Sequence, residues 1–191
     1  METIGPRGRQ PAAAVLTVAA SSHAGKTSLI MALVDQLRDQ LNMAVVLGAD
    51  AADAEVDKFE ATGIPARSVA AGGLVKAGLS GLGLDEGRLD LVIREVPWED
   101  PCVLRAISVE EVLKMLDGEA VAAASPGGPA ADAVAINKAD TIGRTGIDRA
   151  MLAEDAANLW PESRLFFTSA TTGAGLETLA QWVLERYGLV S

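Results

Sequence analysis

The residues with the clearest chemical potential are Gly25, Lys26 and Thr27, which end a run of small residues. The apolar segment Val15–Ala20 precedes this run and an amphipathic segment follows it, so the pattern predicts a strand, a tight loop and a helix. Backbone N–H groups at such a helix start hold phosphate oxygens. Lys26 is expected to reach the terminal phosphates, and the Thr27 hydroxyl to bind Mg²⁺. The residues predicted to surround the phosphates are Ser22, His23, Ala24, Gly25, Lys26, Thr27 and Ser28.

This phosphate-loop pattern departs from the usual one by a single methyl group. The motif normally has glycine six positions before the lysine, where this chain has Ala20. An ordinary helix start is therefore the alternative interpretation. His23 either donates to a phosphate or is a tolerated exposed side chain, and we favour the second interpretation.

A second motif, Asn137-Lys138-Ala139-Asp140, follows a predicted strand over residues 132–137. This tetrad is typical of guanine recognition. The Asp140 carboxylate can accept from the ring N1–H and the exocyclic amine, a pair of donors that adenine does not offer. Lys138 is expected to pack on the base, and Asn137 to tie this loop to the phosphate loop.

A third motif, Ser169-Ala170-Thr171, follows another predicted strand, and one of its backbone amides is expected to meet the guanine oxygen. Each of the three motifs lies at the carboxyl end of a predicted strand, which is where open α/β sheets bind ligands. Their order and position predict that the ligand is GTP or GDP.

Composition limits the class of protein. The chain has 191 residues, which suits one domain, and we expect a loose tail over 1–13 and a single nucleotide-binding domain over 14–191. A formal net charge of −10 without a basic run argues against nucleic-acid binding. Cys102 is the only cysteine, which excludes an internal disulfide and suggests the cytoplasm. No apolar run is long enough to span a bilayer, and the first residues lack the apolar core of a signal peptide.

Strand-like and helix-like patterns alternate along the chain, which predicts an α/β fold with a mostly parallel central sheet flanked by helices on both faces. Between residues 102 and 131 two interpretations stay open. Either Val103–Ile107 is a strand followed by a helix from Ser108 to about Leu116, or Ala120–Ala124 is the strand. The predicted strands are 15–20, 43–47, 66–70, 90–96, 132–137 and 165–169, and the predicted helices are 26–41, 49–61, 72–83, 148–160 and 176–187.

Taken together, these motifs resemble the small GTPases that assist nickel insertion into hydrogenase and urease, the HypB/UreG-like metallochaperone branch of the P-loop GTPases. The similarity covers nearly the whole chain after the tail, including Asp57–Pro65, Asp90–Glu95 and the segment from Ser169 to Leu176. The resemblance implies slow GTP hydrolysis with Mg²⁺ and a nucleotide switch in assembly of a metal centre. It also implies a client metalloenzyme or accessory proteins as partners, and a GTP-dependent homodimer.

The sequence departs from this family at the metal-binding residues. The family's Cys–His pair corresponds to Leu74 and Val75 here, while Cys102 falls near a further family cysteine. A nickel or zinc site would therefore need carboxylates or a partner chain. Cys102 either gives one thiolate per subunit of a dimer or is a structural residue in a loop, and we favour the structural role.

The resemblance also implies roles for several acidic residues. Asp50 is the expected second Mg²⁺ ligand, with Asp53 as an alternative, and Glu95 is expected to order the attacking water or couple the nucleotide to the loop Pro97–Pro101. Ordinary solvated loop charge is the alternative for these acids. No glutamine or arginine is placed to speed hydrolysis. Three functions remain open: an assembly switch, a GTP-binding scaffold without metal handling, and, disfavoured by the guanine tetrad, a small-molecule kinase.

Overall fold

Seven parallel strands form one sheet in the computed structural model, which describes residues 12–21, 23–48, 53–69, 80–118 and 130–189. The strand order is β3-β2-β4-β1-β5-β6-β7, with every neighbouring pair parallel. The predicted α/β fold with a parallel sheet is therefore confirmed. The strands are β1 Ala14–Ala20, β2 Met43–Gly48, β3 Ala66–Val69, β4 Leu91–Val96, β5 Cys102–Ser108, β6 Ala131–Asn137 and β7 Arg164–Phe167.

Six α-helices within the described ranges cover this sheet. Strand β6 shows that both faces of the sheet are packed. Its residues Ala133 and Ala135 belong to one core cluster, and Val134 and Ile136, which alternate with them, belong to another. The first cluster takes buried residues from α1 and α6, and the second takes them from α3 and α5. The helices are α1 Lys26–Leu37, α2 Asp53–Glu60, α3 Val109–Leu116, α4 Ile142–Thr145, α5 Arg149–Leu159 and α6 Leu176–Tyr187.

The ambiguous stretch after Pro101 resolves in favour of the first interpretation. Residues Cys102–Ser108 form β5 and Val109–Leu116 form α3, while Ala120–Ala124 lies outside the described residues. Ser108 caps α3 through a capping box with Glu111, a Ser-x-x-Glu spacing that is itself a helix-start signal.

Other boundaries differ by a few residues from the predicted ones. Helix α1 ends at Leu37 rather than Leu41, because the next residues form a turn in which Gln40 N–H donates to Leu37 O, three residues earlier, at 3.0 Å. Strand β7 ends at Phe167, although Thr168 N–H still donates to Ile136 O on β6 at 2.9 Å. Of the predicted helix over 72–83, residues 72–79 lie outside the described part, and Ser80–Leu82 form a 3₁₀ turn.

Parallel pairing brings the carboxyl ends of β1, β6 and β7 to one edge of the sheet. The loops that leave these strands carry the three motifs singled out in the sequence. In the part of the chain that the structure describes, none of the helices has the length and apolar character needed to cross a lipid bilayer.

Candidate functional site

The loop between β1 and α1, where the sequence predicts phosphate binding, has a left-handed residue just before the helix. Gly25 precedes α1 with φ of 71°, a left-handed conformation that favours glycine. A Cβ at Gly25 would also lie only 3.4 Å from Asn137 Nδ2. Ala20 ends β1 in extended conformation beside Ala106, so the position where the motif usually has glycine needs no glycine here. Ser22 lies outside the described residues, and His23 and Ser28 are exposed.

The two residues predicted to be catalytic meet at this edge. The Lys26 ammonium forms an ion pair with the Glu95 carboxylate, which also accepts the Gly48 N–H at 3.2 Å. The side chain of Glu95 is 10% exposed and that of Lys26 is 33% exposed. Lys26 is therefore held at the end of β4 by a carboxylate that a phosphate group would have to replace.

Thr27 has a carboxylate partner that the sequence analysis missed. Its hydroxyl donates to Glu55 on α2, whereas the predicted ligand Asp50 lies outside the described residues. The alternative, Asp53, is the exposed first residue of α2. The sequence did contain a signal for Glu55, namely the acidic first turn of the helix that follows β2. A helix that begins beside the phosphate loop brings the side chains of its first turn close to that loop.

Asn137, at the end of β6, joins three loops. Its Nδ2 donates to Ala24 O in the phosphate loop at 2.7 Å, and its Oδ1 accepts from Ala170 N–H at 3.2 Å and from Thr168 Oγ1 at 3.4 Å. The side chain is buried, with 2% of the residue exposed. The predicted tie between this tetrad and the phosphate loop is thus present in the structure.

The second residue of the tetrad, Lys138, has an unusual backbone conformation. Lys138 has φ of 60°, and among the described residues it is the only non-glycine residue with a positive φ. The turn orients Asp140, whose Oδ1 accepts from Ser169 Oγ at 2.6 Å. Strained backbone of this kind persists where neighbouring contacts fix it, and it concentrates at functional sites.

The Ser169-Ala170-Thr171 turn closes this side of the site. Ser169 is buried and its Oγ also accepts the Thr172 N–H at 3.2 Å, while Thr171 is exposed. The Ala170 amide donates to Asn137 in this structure, so a guanine contact from this segment stays a prediction. Glycine is needed at position 175, because the chain passes close to the end of β7 and a Cβ there would lie 2.1 Å from Phe167 O.

Cys102 was predicted to lie in a loop, and this is wrong. It is the first residue of β5, 8% exposed, and packs with Ala19, Val96 and Ala131. Burial raises the pKa of its thiol, which disfavours the thiolate that metals bind. Within the described ranges, no group of three or more His, Cys, Asp and Glu side chains is arranged to hold a metal ion.

A buried carboxylate at the start of α3 is a further feature that sequence reasoning missed. Glu111 accepts from Ser21 Oγ, the residue that opens the phosphate loop, at 2.6 Å. The capping-box spacing with Ser108 signals a helix start, but nothing in the sequence indicates the contact with Ser21, 90 positions away.

Comparison with known proteins defines the class to which this fold belongs. No protein-family model matches the chain, and no curated protein sequence matches it significantly. Among solved structures, HypB from Helicobacter pylori in complex with nickel has 22% identity and a TM-score of 0.69, over 93% of this chain and 88% of that one. The hydrogenase maturation factor HypB from Archaeoglobus fulgidus has 18% identity and a TM-score of 0.72, over 92% and 90%.

A third solved structure, an LAO/AO transport system kinase, has 20% identity and a TM-score of 0.63, over 95% of this chain and 61% of that one. The chain thus has the P-loop fold of the HypB proteins. The resemblance to HypB/UreG-like proteins that its motifs predicted is confirmed at the level of the fold.

We predict that Asn137→Ala lowers the free energy of unfolding by about 1–3 kcal/mol, since it leaves buried partners without their hydrogen bonds. Asn42→Ala is the matched control, because Asn42 is exposed and its side-chain amide donates to the Asp90 carboxylate at 3.2 Å. This control should change stability by less than about 0.5 kcal/mol. Urea unfolding measures both, and equal losses would contradict the role given to Asn137.

Proposed function

We propose that this chain binds GTP and GDP at the carboxyl edge of its sheet and hydrolyses GTP slowly, as a nucleotide switch in assembly of a metalloenzyme's metal centre. The observation that carries this proposal is the Asn137 carboxamide, which joins Ala24 of the phosphate loop to Ala170 beside the tetrad. A loop suited to phosphates and a carboxylate suited to guanine are thereby held within one connected site.

At the phosphate end, the Lys26–Glu95 pair supports a switch. A bound triphosphate would take Lys26 from Glu95, since charge-assisted contacts to phosphate replace the ion pair. Glu95 lies two residues before Pro97, where the loop to β5 begins. That loop is held by the buried Arg105, which donates to Trp98 O at 2.6 Å and to Asp100 O at 3.3 Å. Transfer of Lys26 from Glu95 to a phosphate would therefore change the contacts of Glu95 at the start of the loop that Arg105 anchors.

At the base end, the support comes from the orientation of Asp140. Ser169 donates a hydrogen bond to one carboxylate oxygen of Asp140, which holds this carboxylate between the loops that follow β6 and β7. Asp140 itself is exposed, so its carboxylate is accessible to a ligand. A carboxylate accepts two parallel hydrogen bonds from guanine N1–H and N2, and a site built to pair such donors rejects a base that lacks them.

The donors at the start of α1 also suit Mg²⁺, which prefers oxygen ligands. The Thr27 hydroxyl and the Glu55 carboxylate already meet, and both are oxygen donors, with the predicted Asp50 as a further candidate. When bound, the ion neutralises charge on the phosphates. Lys26 and the loop amides would stabilise the charge that develops on the transferred phosphoryl group.

Hydrolysis is proposed to be slow. Catalysis of phosphoryl transfer depends on positioning and charge stabilisation, and the fastest cases add an arginine and a glutamine that orients water. The sequence offers neither at the expected places. Glu95 is proposed to position the attacking water once Lys26 has moved to the phosphates.

We predict that Asp140→Asn weakens GDP binding at least about tenfold, because one charge-assisted acceptor worth about 1.5–3 kcal/mol is lost. The same variant should gain affinity for xanthosine diphosphate, whose carbonyl at the same ring position accepts from the new amide. Asp132→Asn is the matched control. It makes the same charge change at the other end of β6, where Asp132 pairs with Arg186. Calorimetry with GDP, ADP and xanthosine diphosphate measures all three proteins, and an Asp140→Asn protein that still prefers GDP would refute the guanine site.

A second candidate function, a GTP-binding scaffold without metal handling, is favoured by the burial of Cys102. Equilibrium dialysis with Ni²⁺, with and without GTP, separates it from the assembly switch. The switch predicts stoichiometric nickel in at least one nucleotide state, held by a homodimer or with the client protein. No stoichiometric metal in either state, with client absent or present, leaves the scaffold.

A further inference from the structure

Glu111 is a buried acid whose contacts exceed what its helix needs. The residue is 3% exposed, and one carboxylate oxygen, Oε2, accepts from Ser108 N–H at 3.0 Å, Ser108 Oγ at 2.7 Å and Ser21 Oγ at 2.6 Å. The bond from Ser108 N–H, together with the Glu111 N–H that donates to Ser108 Oγ at 3.3 Å, forms the capping box of α3. The bond from Ser21 serves no capping purpose, because Ser21 lies in the loop after β1, 90 positions from Glu111.

Burying a carboxylate is costly unless hydrogen bonds compensate it. An exposed glutamate would complete the same capping box without this cost. The position of Glu111 is therefore explained by the third donor, and that donor lies at the first residue of the phosphate loop.

Ser21 is the point where the phosphate loop leaves the sheet. Its N–H donates to Ala106 O on β5 at 3.0 Å, and its carbonyl accepts from Ala24 N–H at 3.2 Å. Asn137 holds the other end of the loop through Ala24 O. The loop is thus anchored at one end by Glu111 and at the other by Asn137.

We propose that Glu111 is a positioning residue for phosphate binding, which rests on the function proposed above. By fixing Ser21 to the start of α3, it holds the first residue of the loop in place before a phosphate binds. A ligand phosphate then binds without ordering the loop, and a loop that must be ordered on binding loses affinity. Glu111 acts through Ser21 and does not itself touch the nucleotide.

The test separates loop positioning from helix capping with two single-hydroxyl deletions. Ser21→Ala removes the hydrogen bond between the loop and Glu111, and Ser108→Ala removes the hydroxyl that caps α3 together with its hydrogen bond to Glu111, while Ser21 stays bound to Glu111. We expect Ser21→Ala to raise the Kd for GDP, ADP and inorganic pyrophosphate by a common factor of about tenfold or more, with the preference for GDP over ADP unchanged. We expect Ser108→Ala to lower Tm by several degrees and to leave all three Kd values unchanged.

Variants of Glu111 complete the design. Glu111→Ala should lose both affinity and Tm, whereas Glu111→Gln, which keeps an oxygen acceptor of the same reach, should recover part of the lost affinity. If the wild-type chain binds neither GDP nor pyrophosphate, the proposed function fails and this inference with it. If the wild type binds and Ser21→Ala binds equally well, or if Ser108→Ala weakens binding as much as Ser21→Ala does, this inference alone is overturned.

Discussion

The buried carboxamide of Asn137 is the contact on which the rest of the site depends. It lies at the end of β6, beside Ser108 in the register with β5, and it satisfies a carbonyl on one loop and an amide on another. An amide side chain offers both a donor and an acceptor, so one residue can join two loops that present opposite backbone groups. This arrangement fixes the distance between the residues that suit phosphate and the carboxylate that suits guanine.

Three carboxylates hold the donors around the phosphate loop: Glu95 pairs with Lys26, Glu55 with Thr27, and Glu111 with Ser21. These three contacts differ in whether a bound polyphosphate could replace them. Lys26 and Thr27 are partly exposed at the start of α1, so ligand oxygens can compete for them. Ser21 and Glu111 are buried, and their bond is a fixed part of the scaffold. The three carboxylates thus orient Lys26, Thr27 and Ser21. Of these, Lys26 and Thr27 can exchange their carboxylate partner for a ligand oxygen.

Most of the fold could be predicted because its signals are local. Apolar runs such as Val15–Ala20 and the tetrad Asn137–Asp140 are short segments whose pattern is readable without the remaining chain. The three loops meet because parallel strands end at one edge, which follows from the alternation of strands and helices. At Ala20, where the usual motif has glycine, the backbone is extended strand, which any residue can adopt.

Contacts between distant segments could not be predicted in this way. Glu55 meets Thr27 and Glu111 meets Ser21 only because the sheet order places their helices beside the phosphate loop. Cys102 was assigned to a loop that follows a strand, yet it pairs with Ala131 of β6 and is the first residue of β5. Such outcomes depend on which strands become neighbours, and a single sequence carries little direct information on that.

The central claim is that one nucleotide spans the site from the phosphate loop to the tetrad. A crystal structure of the chain with GDP and Mg²⁺ tests it most directly. We expect the β-phosphate on the amides that precede α1, within reach of Lys26, and guanine N1 and N2 within hydrogen-bonding distance of Asp140. A nucleotide whose base lies away from Asp140 while its phosphates occupy the loop, or one bound elsewhere on the molecule, would contradict it.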